Sequence, residues 1–558
     1  MKSLHHGLLV VLTSLLATQV TAQDGSYDLV LRNGRIVDGT GNPWFIGDVA
    51  VRGDRIVAVG RIETIAAKRE IDATGLVIAP GFIDMHSHSD LLLLEDGNAS
   101  SKIHQGVTTE VLGEGSSAGP YEGKLSPRQV KVGDKLEQWS TLGEYLELVD
   151  RSGVATNVAS YVGLNNAWQA VMGESFDRPN GEQIQAMRQS VDRAMRDGAF
   201  GLSSQVMMPP GSLATTDDLV EIAKAIVPYR GIYSTHIRNE GTGVFESVKE
   251  AIEIGERAGV AVDVIHLKIA DQQYWGRMNE VVALIDAARS RGVNVQANVY
   301  PYTRGNNNLA SIIPPWAHEG GRDAILERLR DPEQRERLKR DILGGVEGWY
   351  NHYTAVGGDW SRMLVSGNNR FTGLTMDRVM SLRTQDKTNP DLLDELFDFL
   401  IEEQGSVSTV YAHHTEEDMN LAMTQSWCSI GSDGSAYAIE GPLRRGNPHP
   451  RNFGTFPRVL GVYARDRGLL SLEQAVQKMT SMNAAKIGLH RRGLLAPGFF
   501  ADVTLFDPQQ VIDRATYTDP FQYNDGIAYV IVNGTVVLDD GKHTGAHPGR
   551  AIRRGSLE

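Results

Sequence analysis

Residues 80–90 read PGFIDMHSHSD, with His86 and His88 two apart at the end of an apolar stretch. A strand repeats every two residues, so both imidazoles leave the same face. Paired neutral imidazoles on a rigid element bind zinc or a similar divalent ion when other ligands converge on them. Alone, a His-x-His pair is equally well explained by polar histidines at a strand end.

The chain downstream supplies the converging partners. Amphipathic stripes at Leu219, Ile222, Ala223 and Ile226, and at Val248, Ala251, Ile252, Gly255 and Ala258, predict helices. Each is followed by a short apolar strand, IYSTHIR and VAVDVIHLK, that places His236 or His266 near its end. A third strand, GVNVQANVYPY, alternates Val293, Val295, Ala297 and Val299 with Asn294, Gln296, Asn298 and Tyr300, and its polar face marks a site. Asp433 lies in IGSDG after another apolar segment. Alternating strands and helices build parallel βα units, and in a barrel of such units the strand ends share one face. His86, His88, His236, His266 and Asp433 then form a metal centre with an acid/base carboxylate.

The rest of the chain frames this barrel, assigned to residues 76–485. DLVLRNGRIVDGTG and DVAVRGDRIVAVG near the start, and ADVTLFDP and YVIVNGTVVLDDGK near the end, read as hairpins around Asn33-Gly34, Gly53-Asp54 and Asn533-Gly534. They predict one small β-sandwich domain from residues 23–75 and 486–558. Residues 320–405, rich in charged helix formers, read as an insertion whose charges are a solvated helix face. Met1 to Ala22, with Lys2, an apolar run from Leu8 and the ending Val20-Thr21-Ala22, has the form of a cleaved signal peptide. That predicts a periplasmic or secreted protein with no membrane contact after cleavage. The formal charge of −14 argues against nucleic acid as a partner. The single cysteine, Cys428, excludes an internal disulfide.

The motifs PGFIDMHSHSD, QGVTTEVLGEG, GAFGLSSQ, YSTHIRNEG, VYPY, IGSDG, HPRNFGTFPRVLG, SMNAAKIGL and GLLAPGFFADVTLFD together resemble the amidohydrolase superfamily. Within it they resemble the N-acyl-D-amino-acid deacylases, or D-aminoacylases, over almost the whole mature chain. The resemblance implies an α/β fold, a distorted TIM (β/α)8 barrel with a small β-sandwich domain from both termini. It implies hydrolysis of an N-acyl-D-amino acid using one or two zinc ions. His86, His88, His236 and His266 match metal ligands, and Asp433 matches the acid/base that also faces the metal. Lys268, Tyr300 and Arg451 match groups that hold the carboxylate of a small anionic substrate. Tyr302 shares the parity of Tyr300, and His449 belongs either to the site or to the ordering of its loop.

The sequence departs from that family twice. Where the deacylases carry a cysteine ligand after GVTT this chain reads GEGS, and Glu114 is the substitute, as a metal ligand or as a hydrogen-bonding neighbour. Met208 stands where they commonly show tyrosine. Two other activities remain open on sequence: a cyclic amidase or isoaspartyl-dipeptidase-like hydrolase, whose relatives often bridge metals with a carboxylated lysine, and a serine hydrolase using Ser117 in Gly115-Ser116-Ser117-Ala118-Gly119, a G-x-S-x-G match.

Overall fold

The computed structural model describes residues 26–63 and 66–555. The expected signal segment, Met1 to Ala22, lies outside the described residues. Eight parallel strands form the barrel: Phe82–Asp84 (β1), Val107–Leu112 (β2), Asn157–Ser160 (β3), Gly201–Gln205 (β4), Ile232–His236 (β5), Ala261–Val264 (β6), Val295–Val299 (β7) and Cys428–Ile430 (β8). Neighbours pair in that order, and a short continuation of β3, Val162–Gly163, pairs with β4. The ring closes beyond the strands proper, where Ser87 bridges Gly434 in parallel and Asp433 N donates to His86 O at 2.8 Å. The seam of the barrel is thus made of the residues that carry its chemistry.

Side chains alternate as the period of two requires. Val107, Val158, Leu202, Tyr233, Val262, Val295 and Ala297 pack outward against the helices, in the core that also holds Cys428. Ile83, Val111, Ala159, Phe200 and Ile232 form an inner apolar cluster with Ile487 and Ile552. The helices are set by local chemistry: Thr216–Ala223 and Leu142–Ser152 each begin with a capping box, Thr215/Asp218 and Thr141/Glu144. The stripe ending at Ile226 leaves the α-helix early, continuing as a 3-10 turn, Lys224–Tyr229, with Pro228 inside it.

Strands from both ends of the chain join one nine-stranded sheet. Tyr27–Ile36 pairs with Phe45–Arg52, and Val77–Pro80 pairs with Val503–Phe506, so the segment that enters β1 is clamped by the C-terminal part of the chain. The last described residues leave this sheet for the barrel: Ala551 bridges Val158 and Ile552 N donates to Val158 O, because Ile552 completes the inner apolar cluster. Between β7 and β8 the chain builds a separate layer from Gly305–Asn308, Met363–Val365 and Ser408–Tyr411, an antiparallel sheet. Helices Gly321–Arg330, Pro332–Gly344, Met376–Thr384 and Leu392–Glu402 cover it around Leu329, Leu338, Val379, Leu396 and Phe399. Its edges at 305 and 411 reach beyond the charge-rich 320–405 stretch, since two of its strands carry few charges. Among the described residues no helix is long and apolar enough to cross a membrane.

Candidate metal centre and active site

Glu114 sits at the middle of the histidine cluster. Gly113 turns the chain out of β2 at φ +92°, where a Cβ would lie 2.7 Å from Tyr161 O, so only glycine delivers the carboxylate to this point. Glu114 Oε2 lies 2.8 Å from His86 Nε2 and 3.0 Å from His88 Nε2. Its other oxygen, Oε1, lies 3.0 Å from His236 Nδ1 and 3.7 Å from His266 Nε2. Asp433 Oδ1 completes the first side, 2.9 Å from His88 Nε2 and 3.6 Å from His86 Nε2. Two donor groups result, His86–His88–Glu114–Asp433 and Glu114–His236–His266, each with its ligand atoms within 4.8 Å of one another. Imidazole nitrogens with carboxylate oxygens form the donor set that suits zinc and other borderline divalent ions, so the residues present fit such an ion.

Each group is braced differently. Asp84 and Lys102 are both fully buried and pair at 2.7 Å. Lys102 Nζ also donates to Ser432 Oγ and Gly434 O, while Asp84 Oδ1 accepts from the backbone N–H of His86 and Ser432. This pair therefore ties the ends of β1 and β8 together beneath His86 and Asp433. On the other side Glu240 meets the rings themselves: its Oε1 lies 3.0 Å from His266 Nδ1, 3.7 Å from His236 Nε2 and 2.5 Å from Lys268 Nζ. His266 lies two residues past β6, its N–H bonded to Asn298 Oδ1 at 3.0 Å. Both His266, at φ +39°, and Asp433, at φ +52°, occupy the left-handed region, a conformation that costs non-glycine residues energy.

The electrostatics follow from this crowding. Burial alone would raise the pKa of Glu114, but His86, His236 and His266 outweigh it and hold the carboxyl well below its usual range. Asp433 is likewise buried, and Arg451, His86 and His88 keep it ionised far below the usual carboxylate range. Burial opposes charge on His88, yet Asp433 and Glu114 push its pKa up to about 10. For His266 burial and Lys268 work downward, and Glu240 and Glu114 prevail, raising it to about 8. Anionic oxygens facing imidazoles that are held protonated are the signature of a cluster whose charge balance suits a cation.

These groups open into a cavity of about 530 Å³ at the strand ends, the face on which barrel enzymes build their sites. Arg451 and Tyr300 both line it and are buried. Arg451 Nη1 lies 2.6 Å from Asp433 Oδ2 but off the line of a hydrogen bond. Among the described residues, Arg451 Nε and Nη1 and the Tyr300 hydroxyl find no hydrogen-bond partner. Buried donors left this way are costly unless an acceptor reaches them. Lys268 also lines the cavity, but its ammonium is occupied by Glu240, by His266 O and by His266 Nδ1.

The structure separates residues that parity had left together. Tyr302 turns away and donates to Asp513 Oδ2 at 3.1 Å. His449 uses both nitrogens on the backbone, Nε2 against Arg304 O and Nδ1 accepting from Arg451 N–H, so it lines the cavity while ordering the loop that presents Arg451. Ser117, the serine-hydrolase candidate, donates to Gly119 O, accepts from Gly163 N–H and is absent from the cavity wall, which removes it as a nucleophile. The position shared by the two donor groups is held by Glu114. Cys428 is buried in β8 in the core against the helices. Sequence reasoning missed Glu240, His352 and His413. Glu240 had a signal, an acid four residues after His236 in THIRNE; the two histidines come from the layer between β7 and β8 and reach the cavity only through its folding.

Comparison with known proteins places the chain. The amidohydrolase family model matches residues 69–208 and 432–538, the two stretches that contribute His86, His88, Glu114 and Asp433. D-aminoacylase of Alcaligenes xylosoxydans xylosoxydans is 34% identical over 95% of this chain and 98% of its own length. The chain belongs to the D-aminoacylase family of amidohydrolases. Among solved members of that family, a D-aminoacylase described as having a binuclear metal centre superposes with a TM-score of 0.77 at 33% identity, over 95% of this chain and 100% of the other. The N-acyl-D-glutamate deacylase of Bordetella bronchiseptica, solved with zinc and a phosphonate inhibitor, gives 0.78 at 30% identity over the same shares.

Proposed function

We propose that this protein is a zinc-dependent deacylase that hydrolyses N-acyl-D-amino acids to a carboxylate and a free amino acid. The observation that carries the reading is the pair of donor groups sharing Glu114, set beside Asp433 and the unpartnered donors of Arg451 and Tyr300. His86, His88 and Asp433 would hold one ion, His236 and His266 a second, and Glu114 would bridge them. A divalent ion at such a site supplies Lewis acidity, lowering the pKa of water and polarising a carbonyl. The protein's own part is binding and proton transfer. Arg451 and Tyr300 take the α-carboxylate, Arg451 with a fork suited to that group, and Lys268 adds positive charge while remaining paired to Glu240. Asp433 Oδ1 accepts the proton of the attacking water and returns it to the amine nitrogen as the C–N bond breaks. Water adds to the acyl carbon, the amine leaves, and atoms balance without a further reactant. Relatives named for D-amino-acid substrates support the D series.

The test is turnover by the zinc-loaded chain of N-acetyl-D- and N-acetyl-L-amino acids, dipeptides and cyclic amides. Release of acetate from the D compounds is expected; activity confined to cyclic amides overturns the assignment. The N-terminal segment supports export as well. Fractionation of cells carrying the full gene is expected to find the chain, shortened at Gln23, in the periplasm or medium, and a full-length cytosolic product overturns that part.

A further inference from the structure

The catalytic cavity is lined mainly by polar groups. Its wall carries histidines, carboxylates, asparagines and serines together with Lys268, Arg445 and Arg451, and Tyr300, Tyr437 and Pro448 are its main apolar surfaces. A second cavity of about 420 Å³ adjoins it, and Gln205 and Asn307 line both. Gln205 is the last residue of β4, so the junction lies on the β4 side of the barrel mouth. The wall of this second chamber is the more apolar of the two: Phe176, Met208, Pro209, Pro210, Leu213 and Ile325 supply most of it, and polar groups such as Gln169, Glu174, Asn308, His318 and Arg322 supply the rest.

The direction of the substrate follows from where its charged end must go. The unpartnered donors of Arg451 and Tyr300 lie on the β7–β8 side, with Asp433 and the histidines next to them. An N-acyl amino acid held there by its carboxylate sets the scissile carbonyl over the ligand cluster. The acyl substituent then points away from the carboxylate, across the mouth toward β4. Beyond Gln205 lies the second, more apolar chamber.

We propose that this chamber is an acyl-chain subsite, and that the preferred substrates carry an extended apolar acyl group, a medium-chain fatty acyl or arylalkanoyl group, in place of acetyl. The inference rests on the deacylase reading and adds the substrate class. Met208 and Leu213, both half-buried, are two of the apolar side chains on its wall. An apolar chain entering there leaves water for apolar surface, of which the catalytic cavity offers a smaller share.

A ladder of N-acetyl, N-butanoyl, N-hexanoyl and N-octanoyl forms of one D-amino acid, assayed with the full zinc-loaded chain, tests this. Catalytic efficiency, kcat/KM, is expected to rise about two- to fourfold per added methylene until the chamber is full. Met208→Trp and Leu213→Trp, which fill the chamber from two sides, are each expected to cut the octanoyl-to-acetyl ratio by about tenfold or more. Efficiency that is flat or falls with chain length overturns the subsite and leaves the deacylase reading standing. So does a preference that follows the amino-acid side chain at fixed acetyl, or a ladder unchanged in both variants. No turnover of any member overturns both.

Discussion

The two halves of the donor cluster reach the same Glu114 by different means. On the β1–β8 side His86 and Asp433 are positioned through their backbone: the buried Lys102–Asp84 pair grips the peptide groups beneath them, and His88 is left open to the cavity. On the β5–β6 side Glu240 meets the rings directly, 3.0 Å from His266 Nδ1 and 3.7 Å from His236 Nε2. The difference divides the labour. The half that carries the acid/base is stiffened from below, so its side chains keep a free face toward substrate. The other half, with Glu240 behind the ring of His266, is built to hold an ion.

The largest break in that comparison comes from Asp433→Asn. It keeps the shape and removes the base, and is expected to lower kcat by about 10²–10⁴-fold with zinc per chain unchanged by elemental analysis. Unchanged turnover would sink the acid/base role. Next is Lys102→Met, which leaves Asp84 buried without its cation. Loss of one partner of a buried pair costs about 3–5 kcal/mol, read as a fall in the urea midpoint of the metal-free protein; a surface-like effect would show that the seam does not depend on this pair.

Glu240→Gln sharpens the comparison from the other side. Loss of a carboxylate behind a ligand histidine weakens metal binding by about 10–100-fold, and a two-site titration should show the loss at the His236–His266 position only. A uniform loss at both positions would erase the distinction between halves. The smallest effect is in pH. Each imidazole must shed its proton to bind an ion, so affinity rises with pH and levels off at that histidine's pKa, by about a decade per unit for each proton released. With His266 near 8 and His88 near 10, the His236–His266 position should stop tightening first as pH climbs. Titrations in which both positions level off at one pH would contradict this order.

The barrel was legible because its signals are local. Period-two alternation in PGFIDMHSHSD put His86 and His88 on one face, and the histidines of IYSTHIR and VAVDVIHLK fell at or just beyond a strand end, where the chain turns into the cavity. Parity failed just past that point: Tyr300 and Tyr302 follow β7 rather than lie in it, so the rule that links them no longer held, and only Tyr300 lines the cavity. Lys268 looked available because its neighbour Glu240 lies 28 residues earlier, on the loop after another strand; their pairing exists only once β5 and β6 are adjacent. His352 and His413 were unreadable for the same reason, since a layer with its own core has to fold over the mouth before they face it. Met85, within the motif itself, turned to the inner apolar cluster, as its odd position demands.

The left-handed backbone at Asp433 and His266 has a consequence for anyone who tries to improve this protein. Both positions carry a standing conformational cost of order 1–3 kcal/mol, which glycine, or in part asparagine, would relieve. A screen for heat resistance alone would therefore be drawn to the two substitutions that silence the enzyme. Survivors of heating and survivors of an activity assay should part company at residues 266 and 433, and that divergence would mark both positions as parts of the active site.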